Sequence, residues 1–184
     1  MRFFRELTSC PDSAVVHARY GLDVKPKSSE SVTWETFTRN LDGSAPLPEA
    51  NPSAYNAVIM GRKTWDSLPD SFRPLPHRRN GVISRTLFPG AKGAFAVWSS
   101  LDAGLAELDR DPTVKNIFVI GGGEIFAEAL NRPDCGRIYQ TFIDAEFSCD
   151  TFFPDVSGNF RETSRSSILK EGDMSYRFRL LERA

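Results

Sequence analysis

The stretch Asn116-Ile117-Phe118-Val119-Ile120-Gly121-Gly122-Gly123-Glu124-Ile125-Phe126-Ala127-Glu128-Ala129-Leu130 constrains the fold most. An apolar run meets three glycines, and an amphipathic run follows with Ile125, Phe126, Ala129 and Leu130 at helical spacing. The pattern predicts a buried strand, a tight turn and a helix. Two readings of the glycines are open. They serve close packing only, or they let a ligand approach the backbone beside a helix N-terminus that suits phosphate. The spacing matches neither the dinucleotide fingerprint nor a phosphate loop.

Two further junctions repeat the theme. Ala57-Val58-Ile59-Met60 reads as a short buried strand, followed by Gly61-Arg62-Lys63-Thr64-Trp65-Asp66-Ser67-Leu68. Cations in a first helical turn oppose the dipole, so their placement suits a bound anion; for Lys63 a solvated basic residue is the alternative. Gly81-Val82-Ile83 reads as another strand, ended by Ser84-Arg85-Thr86. Other expected strands are Ala94–Trp98, Arg137–Ile143, Asp150–Pro154 and an alternating Met174–Leu181 with Tyr176, Phe178 and Leu180 inward. Ser99-Ser100-Leu101-Asp102 is a capping pattern opening a helix with Leu101, Leu105 and Leu108 on one face.

Strands alternating with helices predict an α/β fold with a mostly parallel central sheet covered on both faces and an antiparallel C-terminal strand. The 184 residues suit one domain, 1–184. The irregular, proline-punctuated stretch 10–55 is expected to be a surface insertion. Ligands of such sheets gather at the carboxyl ends of strands. Three basic or amide-rich ends suit a ligand with several phosphates, such as a dinucleotide with a 2′-phosphate, and an arginine there favours NADP over NAD.

Composition narrows the class. A net charge of -1 gives no global field for nucleic acid or anionic lipid. No apolar run approaches a membrane span of about 20 residues. Cys10, Cys135 and Cys149 lack metal spacing, and with only His17 and His77 present no metal site is expected. Reduced thiols in the cytoplasm are the plain reading.

Several pieces occur in order over residues 56–154: Ala57 to Pro69, Phe72-Arg73-Pro74-Leu75, Ser84-Arg85, Phe118-Val119-Ile120-Gly121-Gly122, Thr141 and Asp150-Thr151-Phe152-Phe153-Pro154. Together they resemble dihydrofolate reductase of the fungal type. The resemblance implies that family's three-layer sandwich and NADPH-dependent reduction of 7,8-dihydrofolate by a monomer. The partner would be a small-molecule substrate, with no nucleic acid and no membrane. Arg62, Lys63 and Thr64 resemble the first cofactor-binding turn, and Ser84, Arg85 and Thr86 the 2′-phosphate site. Gly121, Gly122, Gly123, Glu124 and Ile125 match the glycine turn and helix start beside nicotinamide and diphosphate, where the family joins its glycine pair by a cis peptide. Phe4, Leu68, Phe72, Leu75 and Ile120 resemble the walls around pterin and aminobenzoyl groups. Arg78 matches the arginine facing the glutamate α-carboxylate, with a surface arginine as the alternative. Thr141 resembles the threonine that bonds the pocket's acid; the alternative is an ordinary strand residue.

The family begins with a central strand, a mobile loop and a helix bearing its carboxylate, which comes just before the position matched by Met1. Met1 to Thr8 resembles the rest of that helix, and Glu6 falls on its polar face. The expectation is therefore a domain incomplete at its N-terminus, with no catalytic residue assigned. His77, where the family favours glycine, and Gly81 inside a strand are further departures. Two alternatives stay open: a noncatalytic NADP-binding relative, and a riboflavin-pathway pyrimidine reductase, against which Phe72 to Leu75 and Arg78 argue.

Overall fold

A computed structural model describes residues 54–90 and 93–184. The expected helix at 1–8, Phe4 and nearly all of the stretch at 10–55 lie outside the described residues. The chain divides into two compact units, separated among the described residues between Arg132 and Pro133.

The first unit is a parallel sheet in the order β3-β2-β1-β4. Its strands are β1 (Tyr55–Gly61), β2 (Arg78–Ile83), β3 (Ala96–Trp98) and β4 (Val114–Val119). Helices α1 (Arg62–Ser67), α2 (Leu101–Asp109) and α3 (Gly123–Leu130) follow β1, β3 and β4. The apolar run of β1 has its reason in this placement. The strand pairs with β2 on one side and β4 on the other, and both of its faces are covered. Ala57 and Ile59 pack with Leu101, Leu108 and Ala129 of α2 and α3. Val58 and Met60 pack on the opposite face with Trp65 of α1. β4 divides the same way, Ile117 and Val119 to one cluster, Phe118 to the other, which Ile120 joins just past the strand.

The cap at Ser100 forms as the pattern requires: its hydroxyl accepts from the Ala103 amide at 3.2 Å. Gly81 has a packing reason. A Cβ there would lie 2.0 Å from Cζ3 of Trp98, and one on Gly104 would lie 2.7 Å from the same indole. The Trp98 ring thus occupies space that two missing side chains leave, and its Nε1 donates to Glu107 at 2.8 Å.

The second unit is antiparallel, ordered β5-β8-β6, with β7 also on β8. β5 (Arg137–Ile143) has the predicted bounds, and in β8 (Met174–Arg183) the expected Phe178 and Leu180 are buried, whereas Tyr176 is half-buried and Leu181 is buried as well. β6 (Phe160–Arg165) and β7 (Leu169–Glu171) were not foreseen, because Phe160-Arg161-Glu162-Thr163-Ser164-Arg165 is too polar to read as a strand alone. The expected strand at Asp150–Pro154 does not form. Phe152 is 76% exposed, and the Thr151 hydroxyl bonds locally to Asp150 at 3.1 Å. Short polar side chains that bond their own neighbourhood compete with ladder formation.

Candidate functional site

Because β1, β2 and β4 are parallel, their carboxyl ends open on one edge of the first unit. The glycine turn after β4 is tied to the end of β1. The Ile120 amide donates to the Ile59 carbonyl at 2.9 Å, and the Gly61 amide to the Gly121 carbonyl at 2.7 Å. Gly121 has φ +107, and a Cβ on it would meet the Phe126 ring at 2.9 Å. Only glycine fits that position without a shift. The Gly121–Gly122 peptide is cis, in agreement with the implied arrangement. A Cβ on Gly122 would come within 3.4 Å of the Thr64 hydroxyl, so α1 and the glycine turn stand side by side. Gly122 caps α3 with no side-chain bond. The first amides of α3, from Gly123, Glu124 and Ile125, therefore lack a side-chain cap and suit an anion.

The cations divide into paired and unpaired. Arg62 is held by Asp66 at 3.1 Å. Lys63 and Arg85 are exposed, and neither makes an ion pair among the described residues. The Ser84 hydroxyl accepts from the amides of Thr86 at 3.1 Å and Leu87 at 3.0 Å, and lies 3.3 Å from the Thr86 hydroxyl. Its acceptor capacity closes the turn after β2, which leaves its proton for a donor role.

The apolar residues are brought together in part. Leu68, Leu75 and Ile120 pack around Trp65 with Phe118. Phe72 stays outside that cluster, 61% exposed on the short 3-10 turn Asp70–Phe72. Arg78 is 8% exposed, and its Nε donates to the Pro76 carbonyl at 2.9 Å. It is a buried arginine at the start of β2, which removes the surface alternative. Thr141 lies on β5 of the second unit, exposed and opposite Phe178.

Two residues of the first unit were missed. Asn80, 2% exposed, clamps the loop before β2. Its Oδ1 accepts from the Leu75 amide at 2.9 Å, and its Nδ2 donates to the carbonyls of Leu75 at 2.8 Å and Arg78 at 2.9 Å. Arg73 stacks over Trp65 at 5.9 Å, donates to the Trp65 carbonyl at 3.2 Å and pairs with Asp70. An asparagine between two arginines and the run Gly81-Val82-Ile83 gave no clear signal for the first. Nothing local separates Arg73 from a solvated arginine.

Residues 51–183 match the dihydrofolate reductase family. The chain is 37% identical over 141 residues to dihydrofolate reductase of Drosophila melanogaster, a match covering 73% of this chain and 77% of that protein. It is 35% identical over 142 residues to dihydrofolate reductase of Heliothis virescens, covering 73% and 77% respectively. Against bifunctional dihydrofolate reductase-thymidylate synthase 1 of Arabidopsis thaliana it is 40% identical over 133 residues, covering 66% of this chain and 24% of that protein.

Proposed function

The chain belongs to the dihydrofolate reductase family of oxidoreductases, and from that premise we propose that it binds NADPH at three strand ends and reduces 7,8-dihydrofolate to 5,6,7,8-tetrahydrofolate. The observation that carries the cofactor reading is the pair Lys63 and Arg85. Both are cations without an ion pair among the described residues, at the ends of adjacent parallel strands and in the unit that holds the Gly121 turn. Ligands of parallel sheets gather at the carboxyl ends of the strands, and a cation in the first turn of a helix opposes the dipole, so this placement suits a bound anion. The turn itself fits the group, since Gly121 and Gly122 leave out the side chains that would fill it.

In this reading Lys63, Thr64 and the first amides of α3 hold the diphosphate, with Gly121 and Gly122 beside the nicotinamide. Ser84, Thr86 and Arg85 hold the 2′-phosphate, Arg85 by a forked guanidinium contact. When bound, NADPH supplies the hydride. Leu68, Leu75 and Ile120 offer an apolar wall to the pterin and aminobenzoyl groups, joined by Phe72. Arg78 pairs with the glutamate carboxylate. No catalytic residue is assigned among these groups; they bind and orient. We place the protein in the cytoplasm, a reading supported by the free thiols Cys135 and Cys149, and read it as a monomer by its family resemblance. No helix of the described residues is long and apolar enough to cross a membrane.

The test is a fluorescence titration with NADPH and with NADH, followed by cofactor oxidation in the presence of dihydrofolate. Preference for NADPH with turnover supports the proposal. Binding without turnover reduces it to a cofactor-binding relative. A folded chain that binds neither cofactor overturns it.

A further inference from the structure

The second unit carries a feature that plays no part in the reading above. Phe142, Glu162, Arg165, Arg177 and Arg179 line an open depression of about 230 Å³ on the antiparallel sheet. Register explains their convergence. Arg177 lies across the ladder from Phe142, and Arg179 lies directly across from Arg165. Residues three apart on a regular strand face opposite sides, yet Glu162 and Arg165 meet, because the ladder shifts between Glu162 and Ser164. Such irregularities re-aim side chains and are frequent beside functional sites.

Charge is unbalanced here. Glu162 is shared by two arginines: one oxygen pairs with Arg165, the other with Arg179 at 2.5 Å. Arg177 makes no ion pair among the described residues; its guanidinium lies over the Phe142 ring at 5.4 Å from the centroid, and that of Arg179 at 5.8 Å. Three guanidiniums against one carboxylate leave two positive charges in excess, in a chain whose net charge is -1. Like charges directly opposite on a ladder are destabilising. Guanidiniums present planar forks of donors that match oxyanions, and Phe142 keeps two of them in place.

We infer that this depression is an oxyanion site for a small ligand with at least two negative charges, of the phosphate-ester or pyrophosphate class. The site is independent of the cofactor reading, because all its residues lie in the second unit. Arg177 supplies unpaired donors, while Arg165 and Arg179 add charge held in place by Glu162.

The test uses the whole chain with isotopically labelled arginine side chains, observed by NMR. Inorganic pyrophosphate and glycerol 3-phosphate are titrated separately at constant ionic strength. Saturable shifts of the Arg177 and Arg179 Nε–H signals by either probe support the site, and the tighter probe shows whether it prefers a diphosphate or an ester. Arg177→Gln should weaken binding at least tenfold. Shifts confined to Arg85, or shifts that grow without saturation as chloride also produces, overturn it. The wild-type spectra decide the question even if the variant fails to fold, and they do so whether or not NADPH binds.

Discussion

The backbone amide of Gly61 donates to the carbonyl of Gly121 at 2.7 Å, so the ends of β1 and β4 are joined where each gives way to a helix. A Cβ on Gly61 would approach Ile125 to 3.3 Å and the Gly121 carbonyl to 3.8 Å. The glycine turn is therefore shaped from three sides: by Gly61, by Thr64 and by the Phe126 ring.

Gly121→Ala adds a Cβ 2.9 Å from Phe126 at a φ of +107. The expected cost is about 1–3 kcal/mol of stability, with NADPH affinity reduced at least tenfold. Denaturant unfolding and a fluorescence titration measure the two effects. Gly136→Ala, which meets nothing within 4 Å, is the control and should change neither.

Gly81→Ala drives a methyl group into Trp98 and should destabilise by about 1–3 kcal/mol or more. The damage should fall in the double variant with Trp98→Leu, because the clash is specific to that ring. A double-mutant cycle with a coupling below about 0.5 kcal/mol would show that the ring is not the cause.

Asn80→Leu leaves the Leu75 amide and the carbonyls of Leu75 and Arg78 without the partners they have now. Stability should drop by about 1–3 kcal/mol. Dihydrofolate affinity should fall much more than NADPH affinity, since the clamped loop carries Leu75 and leads into Arg78. Equal losses in the two titrations would mean a general softening of the unit.

His77 adopts φ +60 in the same loop. A left-handed residue with a Cβ costs about 1 kcal/mol. His77→Gly should therefore raise the unfolding free energy by up to about 1 kcal/mol, less the added freedom of glycine in the unfolded chain.

Asp111 accepts the Thr113 hydroxyl at 2.6 Å and the Thr113 amide at 2.9 Å, and faces Arg79 Nε at 3.3 Å. The two Thr113 bonds hold its carboxyl below the ordinary aspartate value, against a smaller opposing effect of desolvation, and the Arg79 charge adds a lesser push in the same direction as Thr113. A depressed carboxyl stabilises the folded state fully above its unfolded pKa of about 3.9, and the contribution is lost as pH falls through the lower folded value. Asp111→Ala should be less stable than wild type at neutral pH, and the gap should close below about pH 4. A gap that persists into strong acid would assign it to lost packing.

Much of the first unit was legible in its residues. Val58, Ile59 and Met60 form a continuous apolar run, which only a doubly covered strand accommodates, and the glycines after β1 and β4 mark the junctions. The Ser100 cap is equally local. These signals depend on near neighbours, so they survive without a structure. The strand β6 was not legible, since its polar residues acquire ladder bonds only from β8. Phe72 was read from a family resemblance and the strand at Asp150–Pro154 from its own apolar residues, and in both cases the neighbours, not the segment itself, decide where the side chains go.

The sequence by itself determined the parallel strand-and-helix order, the glycine turn at Gly121 and the cations at Lys63 and Arg85, because periodicity, glycine and charge are properties of short segments. Only the tertiary structure decided that Asn80 clamps the Leu75 loop, that Trp98 fills the space over Gly81, and that Arg165, Arg177 and Arg179 line one depression with Phe142. Those relationships are set by cross-strand register and by one irregular step in a ladder, and register follows from the packing of the whole sheet.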